Sequence, residues 1–312
     1  MRVIRGLDFE PMSGVVLCIG NFDGVHRGHQ AILQAGRQKA RAAGTELVAM
    51  TFDPHPLAVL TPERMPAVLT PLPEKLRQLE RAGADVIVVA DSSAAFLQLS
   101  AADFIEDVIV RRFRPSAVVE GRSFGFGRHR QGDVETLQAA ASRHGFEVQI
   151  VEPVRIALGG HPDAVISSSL VRQLLTAGPV DQAAICLGRP YALLGTVIHG
   201  VGRGAGMGFP TANIDPGGQL VPAEGVYAGF AELAGRRHQA AISIGRTPTF
   251  DEHRLVVEAH LLDFAENTYG QSLRIEFLAW LRSQARYETV DDLCQQIAKD
   301  VEQTRQICRQ NA

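Results

Sequence analysis

The chain of 312 residues carries only four cysteines and one tryptophan, shows no excess of positive charge, and has no apolar run approaching the thickness of a bilayer. Each scarcity removes a class. Cys18, Cys186, Cys294 and Cys308 are scattered, with no C-x-x-C and no histidine at zinc-ligand spacing, which argues against a disulfide framework or a structural zinc site. Lys+Arg 31 against Asp+Glu 34 leaves a net charge of −3 and a pI near 6.4, so no chain-wide basic field draws a phosphate backbone and no nucleic-acid partner is expected. Spanning a membrane takes roughly 20 apolar residues. The start, Met1-Arg2-Val3-Ile4-Arg5-Gly6-Leu7-Asp8, lacks the uninterrupted apolar stretch of a secretory leader. The expectation is a reduced, cytoplasmic protein without membrane contact, and a weak homo-oligomer is compatible with it.

What is present is ordinary globular composition, 46% hydrophobic and 21% charged, with length enough for two cores. From residue 14 to about 152, short β-rich runs alternate with helical patterns. GVVLCIG, ELVAMTF, DVIVVA, SAVVE and EVQIV read as strands, with helices expected near 31–43, 74–82, 101–111 and 134–144. These strands are near-continuous Val, Ile, Leu and Ala, as in strands covered on both faces, which predicts an α/β domain with an open, doubly wound, mostly parallel sheet. Two short helical pieces follow at 168–175 and 180–187. The grammar then changes: YALLGTVIHG, GVYAGFAELAG, RHQAAISIG, LVVEAHLLDF and LRIEFLAWL have period 2 and no intervening helices, which predicts an antiparallel β-barrel. A terminal amphipathic helix is expected over 289–309, packed on the barrel. Domains of 1–186 and 187–312 are expected.

The string Gly20-Asn21-Phe22-Asp23-Gly24-Val25-His26-Arg27-Gly28-His29 sits where the first buried strand turns into a helix. Such a turn offers free backbone N–H groups and the positive end of a helix dipole, a natural anion site. His26 and His29 are neighbours on one face of the helix start and can donate hydrogen bonds to charge that grows during a reaction. Taken alone, a histidine pair at this spacing is more often structural, and no third ligand accompanies it for zinc. A second segment, Ile166-Ser167-Ser168-Ser169-Leu170-Val171-Arg172, places serines before a helix and an arginine fork behind them, suited to phosphate, although in isolation it reads as a capped helix with a surface arginine. Glu120-Gly121-Arg122-Ser123-Phe124-Gly125-Phe126-Gly127-Arg128 is glycine- and aromatic-rich and could lay a flat ring against Phe124 or Phe126, or be a loop with packed aromatics.

His-x-Gly-His after a first strand resembles the nucleotidylyltransferase superfamily, and the full string resembles the adenylyltransferase half of the bacterial bifunctional riboflavin kinase/FAD synthetase family. Further matches fall in order: Thr51-Phe52-Asp53-Pro54-His55-Pro56, Leu69-Thr70-Pro71 before Lys75, Phe104-Ile105, Gly121 through Gly127, and Ile166 to Arg172. The resemblance implies attack of the FMN phosphate on the α-phosphorus of ATP, with release of pyrophosphate and formation of FAD. It implies His26 and His29 as catalytic residues, and ATP contacts from Gly20, Asn21, Phe22, Asp23, Gly28, Ser167, Ser168 and Arg172. It implies flavin contacts from Asp53, Phe124, Phe126, Gly127 and Arg128, and Mg²⁺ sharing the phosphate charge. Family members usually carry Asp or Asn where this chain has Ser123.

The glycine loop 200–208, GVGRGAGMG, is neither a Rossmann fingerprint, since Phe209-Pro210 and not a helix follows, nor a Walker A loop, since it lacks Gly-Lys-Ser/Thr. Thr211 and Asn213 lie two apart, so in extended backbone both side chains share a side and can offer oxygens to Mg²⁺. Glu258 stands in the apolar run Val256-Val257-Glu258-Ala259, where an inward carboxylate is unfavourable without a task; an outward, solvated Glu258 is the alternative. Gly208-Phe209-Pro210-Thr211-Ala212-Asn213, with PAEGVY at 222–227, Pro248-Thr249-Phe250, EAHLLDF at 258–264 and Tyr269-Gly270, resembles riboflavin kinase. That resemblance implies ATP-dependent phosphorylation of riboflavin to FMN, with Glu258 as catalytic base, Gly204 and Gly208 at ATP, and Thr211 and Asn213 at the metal. Ala205 stands where the family commonly has arginine and Ser243 where it often has asparagine. The alternative is an FAD synthetase whose kinase-like barrel binds flavin without turnover.

Overall fold

The computed structural model describes residues 1–200, 203–248 and 253–311, without the side chains of residues 161, 203, 205, 247, 248, 253 and 254. The chain divides into two compact units. The first comprises residues 1–66, 70–157 and 161–166; the second comprises 67–69, 158–160 and 167–312.

In the first unit, β1 (Arg2–Arg5), β2 (Val16–Ile19), β3 (Leu47–Phe52), β4 (Val86–Ala90), β5 (Ala117–Gly121) and β6 (Glu147–Val151) form one sheet in the order β1-β4-β3-β2-β5-β6, every pair parallel. Successive residues of a strand point to opposite faces, and here both faces are covered. Leu17, Ile19, Val48, Met50, Val86 and Val88 enter one core cluster with Phe104, Ile109 and Phe113. Val16, Cys18, Leu47, Ala49, Ile87 and Val89 enter the other with Leu33, Ala40 and Leu79. That two-sided burial explains the continuous apolar runs. The chain leaves β2 toward β3 on one side and returns as β5 on the other, so the crevice beyond the carboxyl ends of β2 and β5 is the switch point where such sheets collect ligands.

Three features depart from the sequence pattern. Strand β1, too short and too exposed to show periodicity, pairs with β4 at the sheet edge. The helix expected over 101–111 starts as one turn at Ala101–Asp103 and continues as a wider π-type helix over Phe104–Phe113. A two-stranded sheet of β7 (Arg155–Leu158) and β8 (His161–Val165) occupies a stretch to which the sequence pattern assigns no element.

In the second unit, β9 (Tyr191–Ile198), β10 (Ala212–Asp215), β11 (Gly225–Leu233), β12 (Arg236–Pro248), β13 (His253–Leu261) and β14 (Ser272–Arg282) close a barrel in the order β10-β13-β12-β11-β14-β9, with antiparallel pairs throughout. Alternation sends Ile242, Ile244, Val257, Ala259, Leu273 and Ile275 into the core. Helices Ser168–Ala177 and Val180–Leu187 belong to this unit; the latter packs against β9 and β14. The terminal helix, Val290–Gln310, starts at the Thr289 hydroxyl, which caps the Asp292 N–H at 3.1 Å, and packs on β11, β12 and β14. Its buried Asp300 receives a forked pair of bonds from Arg282 at the end of β14, Nε to Oδ1 at 3.0 Å and the terminal nitrogen to Oδ2 at 2.7 Å.

Gly229 sits at a register shift between β11 and β14, and a Cβ there would lie 1.9 Å from the Glu276 carbonyl oxygen. No rotamer relieves a clash with backbone, so the bulge demands glycine. Gly229→Ala is expected to lower unfolding free energy by about 3 kcal/mol, read from denaturant midpoints; an unchanged midpoint contradicts this packing.

Candidate functional site

The switch-point crevice of the first unit is floored by the loop 20–26. Phe22 and Val25 adopt left-handed φ values of 48° and 39°, and Gly24 one of 88°. Non-glycine residues hold such angles only when their surroundings over-determine them, typically at functional loops. The surroundings here are specific. Asp23 Oδ1 accepts from the Thr70 N–H at 3.0 Å, Thr70 Oγ1 accepts from the Gly24 N–H at 3.1 Å, and Gln30 Nε2 donates to the Val25 carbonyl at 2.7 Å. Thr51 Oγ1 donates to the Asn21 carbonyl at 3.2 Å.

His26 is the N-cap of the helix Arg27–Ala43, its Nδ1 accepting from the His29 N–H at 3.4 Å. The two imidazoles stack with centroids 3.6 Å apart at 20°, and the buried Phe22 ring meets His29 edge-on at 5.3 Å. The glycine between the histidines is explained by space: a Cβ on Gly28 would lie 3.1 Å from the His26 ring and 3.6 Å from the Ile166 carbonyl oxygen. Burial, then the neighbouring His26, then the Lys75 ammonium push the His29 imidazole well below its ordinary value, so it is uncharged at neutral pH. Two buried atoms of this loop, Asn21 Oδ1 and His29 Nδ1, have no hydrogen-bond partner. Buried polar atoms are nearly always satisfied, so an unsatisfied pair at a switch-point crevice marks a place for a ligand.

Two charged groups beneath the loop escaped the sequence reading as site residues. Lys75, on the helix Leu72–Arg81, is 7% exposed and donates to the Phe52 carbonyl at 3.3 Å and to Thr51 Oγ1 at 3.5 Å. Glu120, in β5, is 3% exposed and accepts from the Ile19 N–H at 2.6 Å. Its carboxyl bridges to β2 beyond Leu17↔Val118, where the recorded pairing of β2 with β5 ends. Burial holds Glu120 well above the carboxylate range, against the opposing pull of the Ile19 and Gly121 N–H groups, and pushes the adjacent Cys18 thiol up as well. A lone Lys or Glu carries no burial signal; only the placement of Glu120 at the end of the apolar run Ala117-Val118-Val119 hinted at it.

The remaining expected residues of the first unit fall into distinct settings. Asp53 is exposed just beyond β3. Phe126 is buried, stacked on Phe124 at 5.3 Å and packed on Phe104 at 5.4 Å, while Phe124 keeps part of its surface exposed. Gly127 approaches the Ala101 backbone too closely for any side chain, and the Arg128 N–H donates to the Leu99 carbonyl at 2.7 Å. In the second unit, Ser167 caps its helix by accepting from the Leu170 N–H at 3.2 Å, Ser168 opens that helix, and Arg172 Nε donates to the Ala67 carbonyl at 2.9 Å.

On the barrel, register alone gathers the second constellation. Asn213 of β10 lies opposite Glu258 of β13, which lies opposite Ser243 of β12, so the three side chains share one face. That face is the outer one, because Val257 and Ala259 on either side of Glu258 are buried in the barrel. The inward carboxylate considered for Glu258 is thereby replaced by a half-buried one lining a cleft of about 420 Å³ with Glu224, Ser243, Arg246, Gln284 and Arg286. Gln284 Nε2 donates to Ser243 Oγ and to the Ile244 carbonyl, each at 2.9 Å, and Arg246 Nε pairs with Glu224 at 2.6 Å. The glycine loop contains one helical turn, Arg203–Gly206, absent from the sequence expectation. A Cβ on Gly200 would lie 2.1 Å from Asn213 Nδ2, and one on Gly204 would lie 2.4 Å from the Phe209 carbonyl oxygen and 3.5 Å from Thr211 Oγ1. Thr211 and Asn213 therefore both meet the glycine loop. Gly208 takes a left-handed φ of 82° before Phe209. Val201, Gly202, Thr249 and Phe250 lie outside the described residues, as does the side chain of Ala205.

With this geometry in view, comparison with known proteins is direct. A family model described as FAD synthetase matches residues 9–169, and one described as riboflavin kinase matches residues 187–308. The two modules together define a flavin nucleotide transferase with a kinase half. The bifunctional riboflavin kinase/FMN adenylyltransferase of Escherichia coli strain K12 is 38% identical over 304 residues, covering 96% of each chain. That of Bacillus subtilis strain 168 is 36% identical over 296 residues, covering 93% of this chain and 92% of its own. A crystal structure of a Streptococcus pneumoniae protein called a macrolide-efflux protein superposes with a TM-score of 0.87 at 31% identity, covering 98% of this chain and 99% of that one. The chain belongs to the bifunctional riboflavin kinase/FMN adenylyltransferase family. Among the described residues no helix is long and apolar enough to cross a membrane.

Glu120 gives a test of the electrostatics under the crevice. Its folded value lies above its unfolded one, so its stabilising contribution is whole below about pH 4.3, the ordinary glutamate value, and is lost as pH rises through the window up to the folded value. Glu120→Gln has no such window. Denaturant unfolding at about pH 5 and about pH 8 should show the variant gaining stability relative to the parent chain as pH rises; a pH-independent difference contradicts a carboxyl held above its ordinary range.

Proposed function

We propose that the chain phosphorylates riboflavin to FMN on the barrel, within residues 187–312, and adenylylates FMN to FAD on the parallel-sheet unit, within residues 1–186. Its setting is the cytoplasm, with small-molecule partners and no nucleic acid. The observation that carries the adenylyltransferase half is the unsatisfied pair, Asn21 Oδ1 and His29 Nδ1, at the start of the helix Arg27–Ala43.

In the first unit the FMN phosphate oxygen attacks the α-phosphorus of ATP in line, and the bond to pyrophosphate breaks. No protein nucleophile is needed, so positioning and charge stabilisation carry the step. His26 and His29 face the phosphates from the helix start with Gly20, Asn21 and Gly28, while Phe22 and Asp23 hold the loop in shape. An uncharged His29 suits a site awaiting a polyanion: the arriving phosphate favours the imidazolium, so binding is coupled to uptake of a proton from solvent. Ser167, Ser168 and Arg172, at the start of the helix Ser168–Ala177, are the second candidate phosphate-binding segment. Asp53, Phe124, Phe126, Gly127 and Arg128 bound the flavin end, Phe126 as the packed support of the Phe124 ring.

In the barrel, the terminal hydroxyl of the riboflavin side chain attacks the γ-phosphorus of ATP and ADP leaves. Glu258, reachable from the cleft, accepts the hydroxyl proton. Gly204 and Gly208 let the loop backbone approach the phosphates. Thr211 and Asn213 offer a hydroxyl and an amide oxygen beside that loop, two hard oxygens that would hold Mg²⁺. Bound there, Mg²⁺ would neutralise charge on the transferring phosphoryl group.

Incubation with riboflavin, ATP and Mg²⁺, with riboflavin, FMN and FAD separated over time, tests the division. His29→Ala should slow FAD formation on the order of 10²-fold or more and leave FMN formation intact. Glu258→Gln should slow FMN formation on the order of 10²-fold while FMN supplied directly is still converted to FAD. Loss of FMN formation in His29→Ala equal to its loss of FAD, or failure of Glu258→Gln to convert supplied FMN to FAD, contradicts it.

A further inference from the structure

We propose that Lys75 is a positioning residue for adenylyl transfer, its ammonium tying the loop that carries Asn21 and His29 to the end of β3. The inference rests on the proposed role of those two residues at the triphosphate. The linkage is continuous: Nζ of Lys75 donates to Thr51 Oγ1 and to the Phe52 carbonyl, and Thr51 Oγ1 donates to the Asn21 carbonyl. It ends on the residue whose side-chain oxygen is buried without a partner.

Lysine is rarely buried unless paired, and a hydroxyl and a carbonyl are neutral acceptors that do not offset the desolvation of an ammonium. What faces it is mixed. Burial opposes its charge, the Asp23 and then the Asp53 carboxylate attract it, and the net effect lowers its ordinary value. Asp23 is at the same time engaged with the Thr70 N–H, and Asp53 is exposed to water. The ammonium also acts electrostatically on His29, which faces His26 and the Phe22 ring. The cation is therefore held within electrostatic reach of His29 by contacts that only partly neutralise it, an arrangement suited to a site that fills with negative charge. Thr51 is fully buried, so the relay through its hydroxyl is shielded from water.

The test uses the full-length chain. The imidazole of His29 is titrated by NMR in the ligand-free parent, Lys75→Met and Lys75→Arg, with amide spectra to judge folding, and FAD formation from FMN and ATP is followed against pH. In the parent, His29 is expected to stay uncharged well below its ordinary value of about 6.5. Lys75→Met should raise the His29 midpoint and slow FAD formation on the order of 10²-fold, and Lys75→Arg should restore most of both. Thr51→Val should slow FAD formation with the His29 titration unmoved, since the ammonium remains. A folded Lys75→Met chain with unchanged His29 titration and unchanged FAD formation overturns the inference. Should Lys75→Met not fold, the parent decides: a His29 midpoint at the ordinary value overturns it. A parent chain that makes no FAD overturns instead the functional reading on which it rests.

Discussion

A loop of polar backbone has to close over the carboxyl end of a sheet buried on both faces, and every buried donor and acceptor in that loop needs a partner. This constraint organises the first unit. Thr70 takes up Asp23 and Gly24, Gln30 takes up Val25, Thr51 takes up the Asn21 carbonyl, and Glu120 takes up the Ile19 N–H. Among the buried side-chain atoms around that loop, Asn21 Oδ1 and His29 Nδ1 are left without a partner. Unsatisfied atoms are destabilising in the empty protein and favourable once a ligand supplies what they lack. The stacked, uncharged imidazoles at the helix start thus mark both the weakest point of the fold's polar accounting and the strongest point of its affinity for an anion.

The barrel meets a similar chemical need by other means. Antiparallel register places Ser243, Glu258 and Asn213 in one row on the outer face, and each strand buries the residues on either side of that row. The ladder therefore fixes Glu258 relative to Asn213. Where the sheet unit offers imidazoles and a helix dipole, the barrel offers a glycine loop with hard oxygen donors beside it. Phosphoryl transfer to a hydroxyl needs a proton acceptor, which Glu258 supplies; attack by a phosphate oxygen carries no such proton, and the first unit presents no carboxylate of that kind among its expected catalytic residues.

The two architectures are legible in the sequence because periodicity is an averaged property of many residues: continuous apolar strands for the parallel sheet, alternation for the barrel. Single-residue placements are less so. Glu258 interrupts an apolar run, and the run by itself does not say which alternate set is buried; the closed register decides that Val257 and Ala259 are inside. Lys75 and Glu120 read as ordinary charges on a helix and beside a strand, since burial is set by chain segments far away in sequence, Thr51 and Phe52 for the lysine and Ile19 for the glutamate. The motif residues at Asn21 to His29 were findable because the strand-to-helix turn constrains them locally. β1 and the β7-β8 pair were not, being too short for a pattern.

The central claim is that the two units break different bonds of ATP and attach different fragments to one flavin. Purified chain given riboflavin, Mg²⁺ and ATP labelled at either the γ- or the α-phosphorus tests it most directly. The account predicts γ-label in FMN and then in FAD, and α-label in FAD alone. Label from the γ-phosphorus absent from every flavin product, or α-label absent from FAD, would contradict it.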